Sequence, residues 1–270
     1  MIYLLAILSV LQINRYNPAE CYDDTFCIET EETATEVRVY VRSLVRWDVT
    51  MVLDMDLQNM RSDVDLPFTD SYAGESRKRV MTLRVTEPGT RWAFQFNLRW
   101  ILGNFRARHQ QGHIYQLPYS EGAEFMVGQG FQGEATHQGK YAIDWDMPVG
   151  TPVRAARGGI VMELMERYRA GRPDPELKTM ANFVKIKHED GTIGNYVHLA
   201  HNGVRVKLGD VVRSGQVIAH SGDTGYSTGP HLHFEVYSAT RELGMRTIPV
   251  EFRTRSRGVT RLEEGRYYRR

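Results

Sequence analysis

The sequence predicts an all-β protein, with an N-terminal β-sandwich-like domain followed by a second domain built on an antiparallel β-sheet. Segments such as "TEVRVYVRSLV" and "RWAFQFNLRWIL" place apolar residues at alternate positions, the pattern of a strand with one buried face. Runs rich in Asp, Ser, Gly and Pro separate these segments at the intervals expected for turns between strands. The sequence shows no long amphipathic helical pattern.

The composition is that of a soluble globular protein with one large domain or two small ones. The chain has 270 residues, of which 41% are hydrophobic and 25% are charged. Its formal net charge of +1 gives no support for a nucleic-acid-binding function. The basic ending "RYYRR" is short, and we expect it to be a solvated tail rather than an interaction surface.

The chain begins with a signal-like apolar run. Residues 2–11 are too few to span a bilayer, but their length is typical of the hydrophobic part of a secretory signal. No Lys or Arg precedes the run and the cleavage site is poor, so a buried first strand or helix is the alternative. We interpret residues 1–20 as a signal peptide. This predicts an exported protein of the periplasm or cell envelope, with no transmembrane span in its mature form.

Cys21 and Cys27 are the only two cysteines, and they bracket the short segment "YDDTF". In an exported protein, two cysteines this close predict a local disulfide bond. The alternative is a pair of unpaired thiols.

Composition also predicts the order of the domains along the chain. A β-sandwich-like domain at residues 21–112 is followed by a Gly-rich connector at residues 113–135. A second β domain covers residues 136–240, and residues 241–270 form a C-terminal extension.

Chemistry is concentrated in the second domain. Seven of the nine histidines lie between His137 and His233, in a stretch without cysteine, which excludes a Cys-rich structural zinc site. What remains is a site of imidazoles and carboxylates, the ligand set of catalytic zinc. The candidate residues are His137, Asp144, His198, His231 and His233.

Two of these histidines alternate within the strand-like segment "GPHLHFEVY". Leu232 and Phe234 should point into a core, so His231 and His233 should share the opposite face with Glu235. Residues two apart in a strand are separated by roughly 7 Å, close enough for both imidazoles to serve one site.

The segments "HQGKYAIDWDMPVGTPVRAARGG", "YVHLA", "GDVVRSGQVIAHSGDTG" and "GPHLHFEV" resemble motifs of the lysostaphin-type zinc metallopeptidases, peptidase family M23. The resemblance runs from about residue 128 to residue 237, in the family's order. It implies that His137, Asp144 and His233 are zinc ligands, with a water completing the site. It also implies that His198 and His231 are catalytic residues that do not bind the metal. Glu235 is expected to make a structural hydrogen bond.

Two features depart from the family pattern. The commonest spacing is His-x3-Asp, whereas six residues separate His137 from Asp144. Asp144 keeps its expected distance from the segment "GTPV", so the extra residues fall in the loop after His137. Phe131 stands where some members carry a tyrosine that assists the transition state.

The resemblance implies a zinc-dependent endopeptidase that hydrolyses peptide cross-links of peptidoglycan through a zinc-activated water, with peptidoglycan peptide stems as its partner. One alternative is a catalytically silent relative that binds the wall or regulates another hydrolase. Another is a carrier module, since "GDVVRSGQVIA" resembles a biotinyl-domain hairpin, although it lacks a lysine at a tight turn. We also expect residues 167–181 to form a loop that tunes substrate choice without holding the fold.

Overall fold

A computed structural model of the chain describes residues 7–9, 19–22 and 24–270. Strands make up nearly all of the regular structure, and the one helical element in this described part is a 3-10 turn at Pro175–Thr179. The prediction of an all-β fold is confirmed. Unit 1 comprises the described residues up to Arg106 together with Ala239–Gly244, and unit 2 comprises Ala107–Ser238 together with Met245–Arg270. No helix in the described ranges is both long enough and apolar enough to cross a membrane.

Unit 1 consists of two antiparallel β-sheets. Its strands are β1 (Ile7–Ser9), β2 (Glu20–Tyr22), β3 (Phe26–Glu32), β4 (Glu36–Ser43), β5 (Val49–Gln58), β6 (Met60–Ser62), β7 (Phe68–Tyr72), β8 (Ser76–Val85) and β9 (Ala93–Leu102). One sheet has the order β2-β3-β4-β8-β6, and the other has the order β1-β9-β5-β7.

The two sheets of unit 1 share one apolar core. In β4, Val37, Val39 and Val41 are buried while the residues between them are more exposed. Leu53 of β5 and Phe96 of β9, from the other sheet, belong to the same cluster. This is the sandwich-like arrangement that the alternating segments predict.

The predictions for the N-terminus fall only partly on described residues. Most of the predicted signal peptide, residues 1–20, lies outside them, while Ile7–Ser9 pairs with β9 as an antiparallel strand. Cys21 and Cys27 occupy opposite positions on β2 and β3 and are joined by a disulfide bond. The prediction of a local disulfide is confirmed.

Unit 2 is organised around a nine-stranded sheet. Its strands are β10 (Ile114–Gln116), β11 (Glu124–Gln129), β12 (Ala142–Asp146), β13 (Pro152–Arg154), β14 (Gly159–Met165), β15 (Gly171–Arg172), β16 (Phe183–Lys187), β17 (Ile193–Val197), β18 (Val211–Val212), β19 (Val217–His220), β20 (Gly225–Tyr226), β21 (His231–Ala239), β22 (Met245–Thr247), β23 (Glu251–Thr254), β24 (Gly258–Thr260) and β25 (Tyr267–Arg269). The large sheet has the order β18-β14-β16-β17-β21-β12-β11-β25, with β22 paired to β21. The smaller sheets are β10-β23-β24, β13-β19 and β15-β20, in which β10 pairs with β23, and β15 with β20, in parallel.

Aromatic side chains fix the three central strands of the large sheet relative to one another. Trp145 of β12, Tyr196 of β17 and Phe234 of β21 are all fully buried in the core of unit 2. The ring centroid of Phe234 lies 4.9 Å from that of Tyr196 and 6.2 Å from that of Trp145. Such aromatic pairs contribute about 0.5–1.5 kcal/mol each beyond the burial of their area. The same three strands carry or directly precede most of the candidate site residues.

The boundary between the two units falls at a different position in the sequence from the one that composition predicts. The predicted connector, residues 113–135, supplies β10 and β11 to unit 2, and most of the predicted extension, residues 241–270, supplies β22 to β25. Glycine content suggested a connector, yet Tyr115 and Val127 within it are fully buried. Both segments are therefore integral to the sheets and core of unit 2.

The basic ending "RYYRR" is not a solvated tail, so that expectation is wrong. Its residues Tyr267–Arg269 form β25, which pairs antiparallel with β11. Tyr268 is buried, and its backbone oxygen accepts a hydrogen bond from the Tyr119 hydroxyl at 2.7 Å. The buried ring of Tyr268 and the backbone pairing with β11 hold this edge strand in place. The sequence did not predict the strand, because three residues are too few to show a recognisable alternation of apolar and polar side chains.

Residues 167–181 are more ordered than the predicted loop. Within them, β15 pairs with β20, and the 3-10 turn buries Leu177 in the structure. The Asp174 side chain caps this turn by accepting a hydrogen bond from the Glu176 amide at 3.0 Å. The segment is thus attached to the residues around β20, where the backbone of Thr224 contacts the candidate site.

Gly171→Ala is expected to displace this segment and to lower stability. A Cβ atom at position 171 would lie 1.4 Å from the carbonyl oxygen of Asp223, a backbone atom that cannot rotate away. Overpacking costs about 1–3 kcal/mol, which lowers Tm by roughly 3–10 °C in a unit of this size. Calorimetry would measure the difference from the control Gly229→Ala, whose Cβ meets no atom within 4 Å. Equal Tm values for the two variants would contradict the close packing of β15 against β20.

Candidate metal centre

Strands β21 and β12 place two of the candidate residues side by side. In β21, Leu232 and Phe234 are buried in the core, whereas His231 and His233 are partly exposed on the opposite face. Strand β12 pairs antiparallel with β21 so that Asp144 lies directly opposite His233. Side chains at opposite positions in adjacent strands share a face and come within contact distance.

Three of the candidate side chains converge on one point. His137 Nε2 lies 3.2 Å from Asp144 Oδ2, and His233 Nδ1 lies 2.8 Å from Asp144 Oδ1. The two imidazole nitrogens are 3.3 Å apart. These donor atoms all lie within 4.8 Å of one another, and no other group of three metal-binding side chains is this close in the described part of the chain. We refer to His137, Asp144 and His233 as the triad.

The chemistry of the triad fits a divalent cation. His137 Nδ1 lies 2.9 Å from the Gly130 carbonyl oxygen and donates to it, so Nε2 presents a lone pair towards Asp144 and His233. A carboxylate and two imidazole nitrogens brought together require positive charge between them. Two imidazoles and one carboxylate form the ligand set of a catalytic zinc site, which keeps a further position open.

The pKa values in the triad show the same demand for positive charge. Although burial opposes it, the hydrogen bond with Asp144 and the nearby negative charge of Glu235 raise the pKa of His233 to about 10. Burial also opposes ionisation of Asp144, yet its close contacts with His137 and His233 hold its pKa well below the usual range. A proton on the imidazole thus supplies the charge that a metal ion would supply.

A tight turn accommodates the long spacing between His137 and Asp144. The Lys140 amide donates to the His137 carbonyl oxygen at 2.9 Å, and the Gln132 amide donates to the Lys140 carbonyl oxygen at 2.9 Å. The extra residues therefore fold back beside His137, and Asp144 is reached within β12. The departure from the commonest family spacing does not separate the two side chains.

His198 follows directly after β17 and adopts a conformation uncommon for a residue with a side chain. Its φ is +63°, in the left-handed region. Its Nδ1 lies 2.6 Å from the Thr224 carbonyl oxygen and donates to it, which leaves Nε2 free of a proton. Burial, together with the nearby His231 and His233, lowers the pKa of His198 to about 3. His198 is therefore a neutral imidazole at pH 7.

His231 has a similar hydrogen-bonding arrangement. Its Nδ1 lies 2.8 Å from the Gly229 carbonyl oxygen, so in the neutral tautomer that donates there Nε2 is an acceptor. The His198 ring centroid lies 4.4 Å from that of His231 and 6.1 Å from that of His233. Two imidazoles with lone pairs at Nε2 thus stand beside the triad.

Sequence reasoning assigned Glu235 a structural hydrogen bond, and the structure adds a contact with the triad. Asn195 Nδ2 donates to Glu235 Oε1 at 3.1 Å, while Glu235 Oε2 lies 3.8 Å from His233 Nε2. The sequence could have predicted this contact, because the alternation of β21 places Glu235 on the same face as His233. Carboxylates in this position orient a metal-binding histidine and increase its basicity.

Gln129 is a site residue that sequence reasoning missed. Its Nε2 donates to Asp144 Oδ2 at 3.0 Å, and its Oε1 accepts from the Thr136 amide at 2.8 Å. Gln129 ends β11, in the segment predicted to be a connector, and nothing in the sequence alone marks it as a neighbour of Asp144.

The other histidines of the second half of the chain lie outside the triad. His188 is buried and its Nδ1 lies 2.9 Å from the Gly158 carbonyl oxygen, while His201 and His220 are partly buried. Phe131 packs edge-on against Tyr141, with 5.5 Å between ring centroids. This contact gives Phe131 an apolar packing role.

A cleft of about 820 Å³ opens beside the triad. Carboxylates dominate its charged lining, which includes Glu134, Asp144, Asp146 and Glu264. The full lining is Gly128, Gln129, Gly133, Glu134, Ala135, Asp144, Asp146, Thr228, Gly229, Pro230, His231 and Glu264.

The sequence around this site matches a known enzyme family. Residues 138–244 match Peptidase family M23. The chain therefore carries an M23 peptidase domain, and the resemblance identified from its motifs is confirmed.

Curated relatives match part of the chain. Glycyl-glycine endopeptidase ALE-1 of Staphylococcus capitis is 41% identical over 97 residues, which are 35% of this chain and 24% of the relative. Peptidoglycan DD-endopeptidase ShyA of Vibrio cholerae is 38% identical over 102 residues, which are 38% of this chain and 20% of the relative. These alignments span less than a quarter of each relative. Among solved structures, the catalytic domain of lysostaphin from Staphylococcus simulans is 30% identical and covers 46% of this chain and 87% of that chain, with a TM-score of 0.34.

Glu235→Gln is expected to weaken metal binding without unfolding the protein. The amide keeps the shape and the contact with Asn195, but it removes the negative charge that faces His233 Nε2. Loss of such a partner typically lowers metal affinity about 10- to 100-fold. Competition between the metal-free protein and a chelator for zinc measures this affinity. The matched control is Glu189→Gln, at an exposed position. Unchanged zinc affinity in Glu235→Gln would contradict an orienting role for this carboxylate.

Proposed function

We propose that this chain is a zinc-dependent endopeptidase that hydrolyses peptide cross-links of peptidoglycan. The observation that carries the proposal is the convergence of His137, Asp144 and His233 beside two further imidazoles with free Nε2 lone pairs. In the proposed assignment the triad holds the metal, and His198 and His231 act on the reacting groups. A zinc ion bound there would lower the pKa of a water and polarise the scissile carbonyl.

The two outer imidazoles are suited to moving a proton. Because His198 Nδ1 donates to Thr224 and His231 Nδ1 contacts the Gly229 carbonyl oxygen, each ring is held in one orientation with Nε2 directed elsewhere. A neutral imidazole can accept a proton at Nε2 from the attacking water and then donate it to the leaving amine. The second imidazole would stabilise the developing oxyanion by donating from Nε2, with a proton taken up from solvent before the attack. General acid–base catalysis of this kind contributes roughly 10²–10⁴ in rate.

Peptidoglycan as the substrate is supported by the names of the relatives. ShyA is described as a peptidoglycan DD-endopeptidase and ALE-1 as a glycyl-glycine endopeptidase. Both hydrolyse peptide bonds according to their names, and they are 38% and 41% identical to this chain over 102 and 97 residues, respectively. We carry the class of substrate, a peptide cross-link, over to this chain.

An envelope or extracellular location follows from the same proposal. A substrate in the cell wall requires an exported enzyme. The disulfide between Cys21 and Cys27 supports export independently, because disulfides persist mainly in oxidising compartments. The apolar run within residues 1–20 is the proposed export signal.

Alanine variants of the paired histidines test the proposal. His233→Ala removes one of three ligands, so both zinc content and activity should be lost. His231→Ala and His198→Ala should keep about one zinc per chain while turnover falls by roughly 10²–10⁴. Zinc is measured by elemental analysis, and turnover by mass spectrometry of defined muropeptides, on the same preparations.

His220→Ala serves as the matched control, because His220 lies outside the triad and the adjacent imidazole pair. It should retain both zinc and turnover. Failure of the unsubstituted chain to bind zinc after reconstitution would refute the metallopeptidase assignment. Full zinc loading without cleavage of any muropeptide would instead identify a catalytically silent relative.

A further inference from the structure

A second cavity, of about 510 Å³, lies in unit 2, and its charged lining consists of three arginines and one carboxylate, that of Glu121. It is formed where the segment after β10, strands β23 and β24, and the residue after β25 come together. Its lining residues are Gln116, Glu121, Arg253, Thr254, Arg255, Gly258 and Arg270. We call it the arginine cavity.

The strand pattern explains why the three arginines line the same cavity. Phe252 and Thr254 are buried, so Arg253 and Arg255 extend from the opposite, exposed side of the same backbone segment. The Arg255 amide donates to the Arg269 carbonyl oxygen at 2.9 Å, which brings the end of β25 and the following Arg270 beside it. Three arginines from two segments therefore line one concavity.

Positive charge in the arginine cavity is only partly offset, because Glu121 is the one carboxylate among three arginines in its lining. Elsewhere arginines are paired, as where Arg42 and Arg77 both contact Glu29 at 2.6 and 2.7 Å. No ion pair involves Arg253, Arg255 or Arg270 within the described ranges.

The neighbouring arginine adds charge without adding a counterion. Arg154 donates to the Gly215 carbonyl oxygen at 2.7 Å and to the Ser120 hydroxyl at 3.3 Å, both uncharged acceptors. Burial and then the nearby Arg154 lower the pKa of Arg270, while the charge of Glu121 opposes this shift. The Arg270 guanidinium donates to the Tyr119 carbonyl oxygen, which holds this side chain in place close to the like charge of Arg154.

We propose that the arginine cavity binds a phosphate group. A guanidinium presents a planar fork of donors that matches the oxygens of phosphate or carboxylate. Three such forks around one cavity exceed what the two oxygens of a single carboxylate can satisfy, whereas a phosphate offers more oxygens and greater charge. The phosphate is either a free ion or the headgroup of a lipid.

This site is distinct from the triad and from the acidic cleft. Strand β11 connects the two regions, since Glu124 is opposite Arg269 at one end and Gln129 is opposite Asp144 at the other. Five residues of strand span ~17 Å at the usual rise. The proposal therefore stands apart from the peptidase activity, and either can fail without the other.

The test compares two doubly substituted full-length chains that have lost equal charge. Arg253→Gln/Arg255→Gln removes two of the cavity arginines, while the control Arg257→Gln/Arg261→Gln removes two exposed arginines outside its lining. Inorganic phosphate is titrated at fixed ionic strength and followed by the NMR signals of the arginine Nε–H groups. The unsubstituted chain should bind saturably, and the cavity variant should bind at least about tenfold more weakly. The control should stay within about twofold of the unsubstituted chain.

Several outcomes would overturn the proposal. Absence of saturable binding would do so, as would equal weakening in the two variants, which indicates diffuse screening. Equal affinity for acetate would refute the preference for phosphate. Phosphate bound in the catalytic cleft would survive the Arg253→Gln/Arg255→Gln substitution, so it cannot imitate the expected result.

A second measurement separates the two sources of phosphate. Co-sedimentation with phosphatidylglycerol vesicles, compared with phosphatidylcholine vesicles, detects recognition of an anionic headgroup. If the unsubstituted chain sediments and the cavity variant does not, the site is a membrane-surface contact. If neither sediments while phosphate still binds, the ligand is the free ion.

Discussion

The pairing of β12 with β21 is the constraint on which the candidate site depends. In this register Asp144 is opposite His233, and the neighbouring Leu232 and Phe234 are buried in the core. A strand that slipped by one residue would turn both histidines of β21 into the core and both apolar residues to the surface. The burial of Leu232 and Phe234 therefore sets the position of the proposed metal-binding atoms. The alternation of apolar and polar residues in β21 thus determines both the packing of the core and the geometry of the site.

Backbone carbonyl groups then fix which nitrogen each imidazole offers. Gly130 orients His137, Thr224 orients His198, and Gly229 orients His231, each through Nδ1. His233 is the exception, because it presents Nδ1 to Asp144 and turns Nε2 towards Glu235. A carboxylate behind a metal-binding imidazole and carbonyl groups behind the others produce different basicities at neighbouring rings. This difference in partners distinguishes His233 from the other three imidazoles, whereas His137 differs from His198 and His231 in that its Nε2 lies 3.2 Å from Asp144 Oδ2.

Local sequence could predict the parts of the site that lie in regular strands. Alternation placed His231 and His233 on one face, and the motif resemblance singled out His137, Asp144 and His198, which the structure brings to the same place. Gln129 and the strand β25 could not be predicted, because their contacts join residues far apart in the sequence. Glycines concealed β11, and the three residues of β25 gave no alternation. The loop at residues 167–181 was misjudged for a similar reason, since its order comes from pairing with β20.

The net charge of the chain conceals how its charges are distributed. The formal charge of the whole chain is only +1, yet residues 245–270 contain eight arginines and three glutamates and are therefore strongly basic. Unit 2 places carboxylates around the cleft beside the triad and arginines around the cavity at the other end of β11. The two regions are about 17 Å apart, the length of five strand residues. The Debye length at physiological salt is about 8 Å, so dissolved ions largely screen the electric field of each region before it reaches the other. Ligand charge at either place is therefore selected by the local side chains, and net charge sets no limit on it.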